Sequence, residues 1–370
     1  MRELKKILIA NRGEIALRAL RTIQEMGKQA IVVHSTADQD ALYVKYADAS
    51  VCIGGPRSSD SYLNIPAIIT ACELTEADAI FPGYGFLSES QNFVEICAKH
   101  GIKFIGPSVE AMTLMSDKSK AKQVMMRAGI PVVPGSDGAI ASVEEARKLA
   151  AEIGYPVIIK AAAGGGGRGM RVVEREEDIE KLFWSAESEA MSAFGDGTMY
   201  MEKYITNPRH IEVQVLGDEH GHVVHIGERD CSMQRRHQKL IEESPAVILD
   251  ESTRKSLHET AVRAAKAIGY ASAGTFEFLY DSKDKKFYFI EMNTRLQVEH
   301  TVSEMRSGLD LIEWMIRIAQ GEKLLPQSEI KFSGHALECR ITAEDSKSFM
   351  PNPGKITKYV APCGRNVRVD

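Results

Sequence analysis

Short β-rich segments alternate with amphipathic segments through the first hundred residues, and this alternation limits the possible folds more than any other feature of the sequence. The segments rich in β-branched and other apolar residues are Lys6–Ala10, Ala30–His34, Ala49–Ile53, Ala79–Phe81 and Lys103–Ile105. Apolar residues recur at helical spacing in the segments between them, which include Glu14–Met26, Asn64–Leu74 and Asn92–His100. A β-α-β-α order of this kind predicts a parallel sheet with helices on both faces.

Turn-forming residues directly follow four of the predicted strands. They are Asn11–Gly13, Gly54–Pro56, Pro82–Gly85 and Gly106–Pro107. In an open α/β sheet, ligands bind at the edge formed by the carboxyl ends of the strands. We therefore expect a ligand-binding edge here.

Two further regions are predicted after this sheet. A helical bridge, Val109–Ala128, leads through the turn Pro134–Ser136 to a compact unit that ends near Lys203. The elements predicted in that unit are a helix from Ser142, strand Val157–Lys160, a glycine loop, strand Met170–Val173, helix Glu176–Ala193 and strand Met199–Lys203. Beyond it, the runs His210–Gly217 and His222–Glu228 predict an antiparallel sheet, and two strand-like runs follow Gly334.

Composition and charge exclude several classes of protein. The 370 residues carry 46 Lys and Arg against 51 Asp and Glu, so the net charge is 46 − 51 = −5. A general nucleic-acid binder would have a basic excess, and a disordered chain would lack the 44% hydrophobic content found here. No uninterrupted apolar run approaches the ~18 residues that span a bilayer, and no signal peptide is recognised. The six cysteines form no C-x-x-C pair, so we expect a cytoplasmic enzyme in which they are buried hydrophobic residues.

The densest glycine cluster runs from Gly164 to Gly169, between two predicted strands. Its glycines fit the G-x-G-x-x-G pattern, but that dinucleotide fingerprint requires a helix after the loop, and a strand follows here. A Walker A loop is excluded because Met170 stands where the lysine would be. Backbone N–H groups, with Lys160 and Arg168, can instead close over a polyphosphate, because glycine allows a close backbone approach. The alternative is a flexible surface hairpin.

A predicted hairpin between Gly274 and Asn293 indicates a metal site. If its turn is centred near Asp284, Glu277 lies directly opposite Glu291. One face then carries Phe276, Phe278, Tyr280, Tyr288, Ile290 and Met292, and the other carries Thr275, Glu277, Leu279, Phe289, Glu291 and Asn293. Two carboxylates ~5 Å apart repel by about 3 kcal/mol at an effective dielectric of ~20, so a cation should lie between them. Oxygen donors beside a phosphate loop suit Mg²⁺, and a solvated acidic face is the alternative.

Two polar clusters accompany this hairpin. Thr294–His300 follows it directly and contains an arginine, a glutamate and a histidine, which is typical of a reacting centre. Glu228–Lys239 is expected to be a polar loop that serves as an anion clamp, although a solvated loop is the commoner interpretation of such a cluster. A nucleophilic role for Cys231 within this loop is not expected.

Taken together, these motifs resemble the biotin carboxylase family of the ATP-grasp superfamily. The matching stretches are ILIANRGEIALR from Ile7, FPGYGFLSES from Phe81, the region Tyr155–Val173, MEKYITNPRHIEVQ from Met201, GERDCSMQRRHQK from Gly227 and FIEMNTRLQVEH from Phe289. The resemblance covers essentially the whole chain and is greatest to the biotin carboxylase subunit of a bacterial acetyl-CoA carboxylase. Ala163 departs from the family, which commonly has a glycine at this position.

The resemblance implies a mixed α/β and α+β architecture. A Rossmann-like N-terminal parallel sheet, residues 1–113, would be followed by a helical bridge, 114–134. A mobile glycine-loop lid, 135–203, and a C-terminal ATP-grasp domain, 204–370, would complete the chain. Family members continue for some tens of residues beyond the equivalent of Asp370, so this last domain is expected to be incomplete.

The resemblance also implies the roles of particular residues. ATP would be bound by Lys118, Lys160, Gly166, Gly167, Glu202, Lys203, Tyr204, Ile205, His210, His237, Glu277 and Glu291. Mg²⁺ or Mn²⁺ would be bound by Glu277, Glu291 and Asn293. The bicarbonate pocket would consist of Lys239, Arg295, Gln297 and Val298, and Glu299 would be the base that deprotonates bicarbonate. Arg295 would stabilise the biotin enolate, and Arg340 would contact biotin and phosphate.

The reaction implied is ATP-dependent carboxylation of biotin through carboxyphosphate, as the first half-reaction of acetyl-CoA carboxylase. No Met-Lys-Met tract occurs, so biotin would arrive on a biotin carboxyl carrier protein, with carboxyltransferase subunits and a second copy of the chain as further partners. Nucleic acid and membrane are not expected as partners. The alternatives are the N-terminal part of a pyruvate or propionyl-CoA carboxylase, an ATP-grasp ligase for another substrate, and a non-catalytic ATP-binding fragment.

Overall fold

The computed structural model describes residues 3–161, 169–236 and 238–370, and these form two compact units. The first unit takes in the chain up to Ala128 together with His210–Glu277 and Glu291–Asp370. The second takes in Gly129–Arg209 and Phe278–Ile290. The finer division into four regions stays a prediction.

The N-terminal sheet is parallel, as predicted. Its strands are β1 (Lys6–Ile9), β2 (Gln29–Ser35), β3 (Ala49–Gly54), β4 (Ala79–Phe81) and β5 (Lys103–Phe104). Their order in the sheet is β3-β2-β1-β4-β5, with parallel pairing throughout. The order reverses between β1 and β4, which is the switch point where open α/β sheets bind ligands.

Helices cover both faces of this sheet. They are α1 (Gly13–Glu25), α2 (Leu42–Tyr46), α3 (Ile65–Thr75) and α4 (Gln91–Lys99). Along β1, Ile7 and Ile9 belong to one buried cluster and Leu8 belongs to another, because successive side chains point to opposite faces. At the switch point, the Nδ2 group of Asn11 donates to the carbonyls of Pro82 and Tyr84 at 2.7 and 2.8 Å. This contact joins the loops that follow β1 and β4.

The predicted helical bridge is two helices rather than one. They are α5 (Val109–Ser116) and α6 (Lys118–Arg127). Asp117 has extended backbone angles and interrupts the helix, and its carboxylate accepts a hydrogen bond from the Lys120 amide at 3.1 Å. An aspartate that caps a new helix in this way favours a break over a continuous turn.

The second unit contains a three-stranded sheet with two helices. Its elements are α7 (Val143–Ile153), β6 (Val157–Ala161), β7 (Met170–Val173), α8 (Ile179–Phe194) and β8 (Met199–Lys203). Both β7 and β8 pair antiparallel with the central β6. A short 3₁₀ turn, Glu176–Asp178, replaces the predicted start of α8. The predicted glycine loop, 162–168, lies outside the described residues.

A six-stranded sheet follows along the chain. Its strands are β9 (Arg209–Gly217), β10 (Val223–Arg235), β11 (Gln238–Ser244), β12 (Ser272–Asp281), β13 (Lys286–Asn293) and β14 (Ala336–Cys339). Their order is β13-β12-β9-β10-β11-β14, and β10 pairs antiparallel with both of its neighbours, as predicted for this region. The helices α9 (Glu251–Ala267), α10 (His300–Ser307) and α11 (Leu311–Ala319) complete the first unit.

The polar loop predicted over Glu228–Lys239 is wrong. Most of this segment is the second half of β10 and the start of β11. Glu228 and Arg229 are fully buried there. The prediction failed because a run of charged side chains usually indicates exposure to solvent. Here, ion pairs with residues distant in the sequence stabilise the charged side chains inside the sheet.

The turn of the predicted hairpin occupies residues 282–285, between β12 and β13. Near this turn the ring of Phe278 lies 6.2 Å from that of Phe289, edge to face, although the predicted alternation placed them on opposite faces. The pairing of Glu277 opposite Glu291 stays a prediction.

Only one strand is found after Gly334 among the described residues. It is β14, and the second predicted run forms no strand in the described chain. The next residues contribute a single isolated bridge between Glu344 and Pro351. Across the described ranges, helices that combine the length and the apolar character needed to cross a bilayer are absent.

Candidate active site

One face of β9 supplies the base of the candidate site. His210, Glu212 and Gln214 alternate with the buried apolar residues of the strand, so the three polar side chains share a face. Glu212 and Gln214 are fully buried, and His210 is half-buried. Buried polar side chains require partners, and the neighbouring strands provide them.

Arg229 of β10 lies directly opposite Glu212 and is the most connected of these partners. All five of its N–H groups donate, to acceptors at 2.7–3.1 Å. The acceptors are side-chain oxygens of Glu212, Gln214, Thr275, Gln297 and Ser303. Because Arg229 donates to the side-chain oxygen of Gln297, the side-chain NH₂ group of Gln297 is directed towards Glu277.

Lys239 of β11 is surrounded by three carboxylates. Its Nζ lies 2.5 Å from Glu212, 3.0 Å from Glu277 and 2.7 Å from Glu299. Burial alone would lower the pKa of this lysine, but attraction to the three carboxylates raises it above its usual value. Lys239 is therefore a fixed positive charge that joins the predicted metal strand to the predicted base.

Glu299 is held by a cation at each of its oxygens. Lys239 donates to Oε1, and Nη2 of Arg340 donates to Oε2 at 2.8 Å. Glu299 precedes α10 directly and is 2% exposed. The predicted base and two of the residues predicted to serve the reaction therefore lie in direct contact.

Glu277 of β12 accepts hydrogen bonds from Asn293 at 2.8 Å and from Gln297 at 2.9 Å. His210 Nε2 approaches its other oxygen at 3.0 Å, although not with hydrogen-bond geometry. Burial opposes ionisation of Glu277, but His210 and Lys239 outweigh burial and lower its pKa. Burial would lower the pKa of His210, and the carboxylates of Glu212 and Glu277 instead raise it to about 9.

Arg295 follows β13 and is anchored by a residue that sequence reasoning did not single out. Its Nε donates to Glu89 at 2.9 Å, and its Nη2 donates to Asn293 Oδ1 at 2.8 Å. Glu89 also accepts from the backbone and hydroxyl of Thr294. Glu89 lies within the FPGYGFLSES stretch after β4, so its place at the carboxyl edge of the sheet was the available signal.

The donor set around Glu277 fits a hard divalent cation. Glu277 and Asn293 offer oxygen ligands of the type that Mg²⁺ prefers. The ligand atoms of His210, Glu212 and Glu277 also lie within 4.8 Å of one another. In the structure, positive charge beside Glu277 comes from Lys239 and His210. The cation expected between Glu277 and Glu291 stays a prediction.

The predicted nucleotide residues of the second unit that the structure describes lie on β6, on β8 and directly after β8. Lys160 of β6 forms an ion pair with Glu202 at 2.5 Å. The ammonium of Lys203 donates to the carbonyls of Gly154 and Tyr155 at 2.9 and 3.0 Å. Tyr204 and the buried Ile205 follow the strand. The nucleotide roles of these residues stay predictions.

The remaining predicted site residues lie outside the described residues or have few described contacts. Gly166, Gly167 and His237 lie outside the described residues, and Lys118 is placed only as the first residue of α6. Glu291 is half-buried on β13, and Val298 lies in the turn before α10, where its carbonyl is 3.1 Å from Nδ1 of His300.

Sequence reasoning missed Glu212, Arg229, Glu242 and Glu338, all of which contact or neighbour predicted site residues. The alternation of polar and apolar residues in β9 could have identified Glu212. Cys231 is fully buried, and burial raises the pKa of its thiol, so it is unsuited to be a nucleophile, as expected.

Comparison with known proteins supports the fold and the family. Residues 3–112 match the model for the biotin carboxylase N-terminal domain, and residues 117–327 match the carbamoyl-phosphate synthase L chain ATP-binding domain. The biotin carboxylase of a Nostoc species is 57% identical over 367 residues, which are 99% of this chain and 82% of that protein. The chain belongs to the biotin carboxylase family. Family membership makes the chain an ATP-dependent ligase and confirms the predicted resemblance and fold class.

Solved structures extend the comparison. A Campylobacter jejuni biotin carboxylase, described as a β,γ-ATP complex, is 78% identical, with a TM-score of 0.87 and coverage of 99% of this chain and 82% of that one. The biotin carboxylase domain of a Hydrogenobacter thermophilus 2-oxoglutarate carboxylase, with MgADP, ADP and bicarbonate, is 50% identical, with a TM-score of 0.84 and coverage of 98% and 80%. The biotin carboxylase subunit of a pyruvate carboxylase is 51% identical, with a TM-score of 0.85 and coverage of 94% and 77%. The family thus serves carboxylases with different final acceptors.

Proposed function

We propose that the chain carboxylates biotin on a separate biotin carboxyl carrier protein, using bicarbonate and ATP, in the first half-reaction of an acetyl-CoA carboxylase. The observation that carries this proposal is the contact of Glu299 with both Lys239 and Arg340, at 2.7 and 2.8 Å. The two cations would attract a small anion to this buried carboxylate, which would take a proton from the anion once Arg340 releases its oxygen.

These contacts support the bicarbonate pocket that the family resemblance implies. Lys239 and Arg295 would bind the bicarbonate oxygens, with Gln297 and the backbone of Val298 completing the pocket. Glu299 would take the bicarbonate proton, which makes the anion a better nucleophile towards the γ-phosphoryl group of ATP. Arg229 supports this arrangement because it donates to the side-chain oxygen of Gln297 at 2.9 Å. The side-chain NH₂ group of Gln297 is then oriented as a hydrogen-bond donor.

Glu277 and Asn293, together with Glu291, are the residues that would hold Mg²⁺ or Mn²⁺. The ion would supply positive charge to the phosphoryl oxygens of ATP during transfer. The chain's own contribution is a set of oxygen donors whose negative charge is already partly compensated by Lys239 and His210. The remaining part of the proposal concerns the residues that would contact ATP. They are Lys118, Lys160, Gly166, Gly167, Glu202, Lys203, Tyr204, Ile205, His210 and His237.

Arg340 would contact the biotin and phosphate, and Arg295 would stabilise the biotin enolate. Both guanidinium groups are anchored by carboxylates, Arg295 by Glu89 and Arg340 by Glu242. An arginine fixed in advance stabilises developing charge without reorganising during the reaction.

The proposal is tested by ATP cleavage assays with bicarbonate and free biotin. We expect phosphate release that requires bicarbonate and increases with biotin. The variant Glu299→Gln should lose biotin carboxylation and retain ATP binding in calorimetry. Retained turnover in this variant would refute the assignment of the base, and phosphate release that depends on an amine or amino acid instead would refute the substrate. Nucleotide binding without turnover under any substrate would favour a non-catalytic module.

A second candidate is a carboxylase with a different final acceptor. It is favoured by the relatives from pyruvate and 2-oxoglutarate carboxylases, at 51% and 50% identity. The two candidates are distinguished by supplying carboxybiotin made by this chain to purified carboxyltransferases. Malonyl-CoA formation supports the acetyl-CoA role, and transfer only to a 2-oxo acid or to propionyl-CoA contradicts it. We also propose that the full-length protein is a homodimer, which sedimentation of the full-length protein tests.

A further inference from the structure

Two carboxyl groups lie beside Arg340, and the function proposed above uses only one of them, Glu242, and only as an anchor for the guanidinium. Glu242 of β11 lies directly opposite Glu338 of β14 in the antiparallel ladder. Residues in this relationship share a face of the sheet, with Cβ atoms about 5 Å apart, and like charges there are destabilising. The backbone amide of Arg340 donates to Leu240 at 3.0 Å, which continues the same register and places Arg340 two residues from Glu338 on that face.

The immediate contacts of the two carboxyl groups differ. Glu242 is fully buried, and its Oε1 accepts from Nε of Arg340 at 2.7 Å. Its Oε2 has no hydrogen-bond partner within the residues that the structure describes. Glu338 is half-buried and accepts from the hydroxyl of Thr301 on α10. Arg340 is therefore shared between Glu242 on one side and Glu299 on the other.

The charged groups that face this pair come from several elements. Burial raises the pKa of Glu242 to about 7, with Glu299 and Glu212 adding to the effect and Arg340 opposing it. Burial likewise raises the pKa of Glu338 to about 7, with Glu242 and Glu299 adding and with Thr301 and Arg340 opposing. Tyr84, whose hydroxyl donates to Glu14 at 2.7 Å, is the further titratable group near Glu338 and Arg340.

We propose that Glu242 and Glu338 are a pair of positioning residues for Arg340, and that the charge on the pair sets how the guanidinium is divided between Glu242 and Glu299. This inference rests on the proposed function, because Glu299 is the base in that function. When the pair is ionised, it holds Arg340 and leaves Oε2 of Glu299 free to take a proton from bicarbonate. When the pair is protonated, Arg340 is held mainly by Glu299, and the base is occupied.

Changing each glutamate to glutamine should therefore have a different effect on kcat and on its pH dependence. The variant Glu242→Gln removes the anion that competes with Glu299 for Arg340, so we expect kcat to fall about tenfold at neutral pH. The variant Glu338→Gln removes the like charge from Glu242, which then ionises more readily. In this variant the ascending limb of kcat against pH should move down by about one pH unit, with little change in its plateau.

Glu243→Gln is the matched control, because Glu243 is the next residue on β11 and its side chain points to the other face, 3.3 Å from His335. This variant should keep the wild-type pH profile. A purely structural role for the pair would lower activity in both pair variants without moving the ascending limb, and that result would overturn the proposal.

Carbon-13 NMR of glutamate-labelled protein, without substrates, separates this inference from the proposed function. We expect two carboxyl signals that titrate near neutral pH in the wild type. The signal of Glu242 should be lost in Glu242→Gln, and the same signal should move to lower pH in Glu338→Gln. All glutamates titrating near their ordinary pKa would overturn the pair. If these signals are present but bicarbonate-dependent ATP cleavage is absent, the carboxyl pair stands and the proposed function fails.

Discussion

Arg229 lies directly opposite Glu212 in the ladder between β9 and β10, and its Nε donates to the Glu212 carboxylate at 2.7 Å. Both side chains are fully buried, so this ion pair is not screened by water. Glu212 in turn accepts from Lys239, and Arg229 also donates to Gln297. A single buried arginine thus orients residues of the proposed bicarbonate pocket on two sides.

Replacing Arg229 with lysine should destabilise the protein and impair the site together. Lysine offers three donors in place of the five that Arg229 uses, so buried acceptors lose their partners. Each buried acceptor left without a donor costs about 1–3 kcal/mol, and at least two are left here, so we expect Arg229→Lys to lose on the order of 3 kcal/mol in urea unfolding. The same change at Arg317, a partly exposed partner of Glu313 on α11, should cost less than about 0.5 kcal/mol. Equal losses in the two variants would contradict the role given to Arg229.

The sequence predicts some parts of this molecule better than others, and β1 and β10 illustrate why. The apolar run that becomes β1 is short, local and flanked by turn residues, so it is found within one residue of its bounds. The charged run in β10 predicts a loop from sequence alone. It is buried instead because it contacts Glu212, Gln297 and Ser303, which lie 17 to 74 residues away along the chain. Burial stabilised by distant ion pairs leaves no local periodicity to detect.

Gly217 provides a test of backbone packing at the end of β9. A Cβ atom at this position would lie 2.0 Å from the Tyr270 carbonyl oxygen, which belongs to the backbone and cannot move aside as a flexible side chain would. We expect Gly217→Ala to lower the free energy of unfolding by about 3 kcal/mol or more, from strain in a packed region. Gly354→Ala, where a Cβ would meet no atom within 4 Å, is the control and should be neutral. A wild-type unfolding midpoint for Gly217→Ala would show that the two backbone segments are not in contact.

Residue type and alternation predict Glu277 and Asn293 as metal ligands, but they do not predict the residues that contact these two side chains. Glu277 and Asn293 share a contact, as the predicted alternation required, because it held at that end of the hairpin. Near the turn the alternation failed, because the rings of Phe278 and Phe289 lie together although the pattern placed them on opposite faces.

Thermal unfolding with nucleotide tests the contribution of Glu277. Free ligand at 100 times its Kd stabilises a folded protein by about 2.7 kcal/mol, so ATP with Mg²⁺ should raise the Tm of the wild type. The variant Glu277→Gln should lose most of the increment that Mg²⁺ adds to ATP alone and keep the increment from ATP. Glu259→Gln, an exposed position on α9, should keep both increments. A full Mg²⁺ increment in Glu277→Gln would remove this residue from the metal site.

Acid unfolding should reveal a second buried ion cluster, centred on Glu228. This carboxylate is fully buried, lies 2.6 Å from His258 and accepts from Arg254 at 2.9 Å. Burial would raise its pKa, but His258 and Arg254 outweigh burial and lower it to about 2. Because the folded state binds this proton more weakly than the unfolded state, Glu228 contributes stability above its ordinary pKa of about 4.5 and loses it as the pH falls towards 2.

The stability linked to this shift is on the order of 3 kcal/mol. Urea unfolding at a series of pH values should therefore show a steep loss below about pH 4.5 in the wild type and a shallower one in Glu228→Gln. The difference between the two proteins isolates Glu228, since other titrating groups are common to both. The matched control is Glu251→Gln, because Glu251 contacts the same Arg254 at 3.0 Å while its side chain is 90% exposed, and we expect it to follow the wild-type curve. Parallel pH profiles for the wild type and Glu228→Gln would mean that the buried carboxylate binds its proton equally in both states, contrary to the cluster described here.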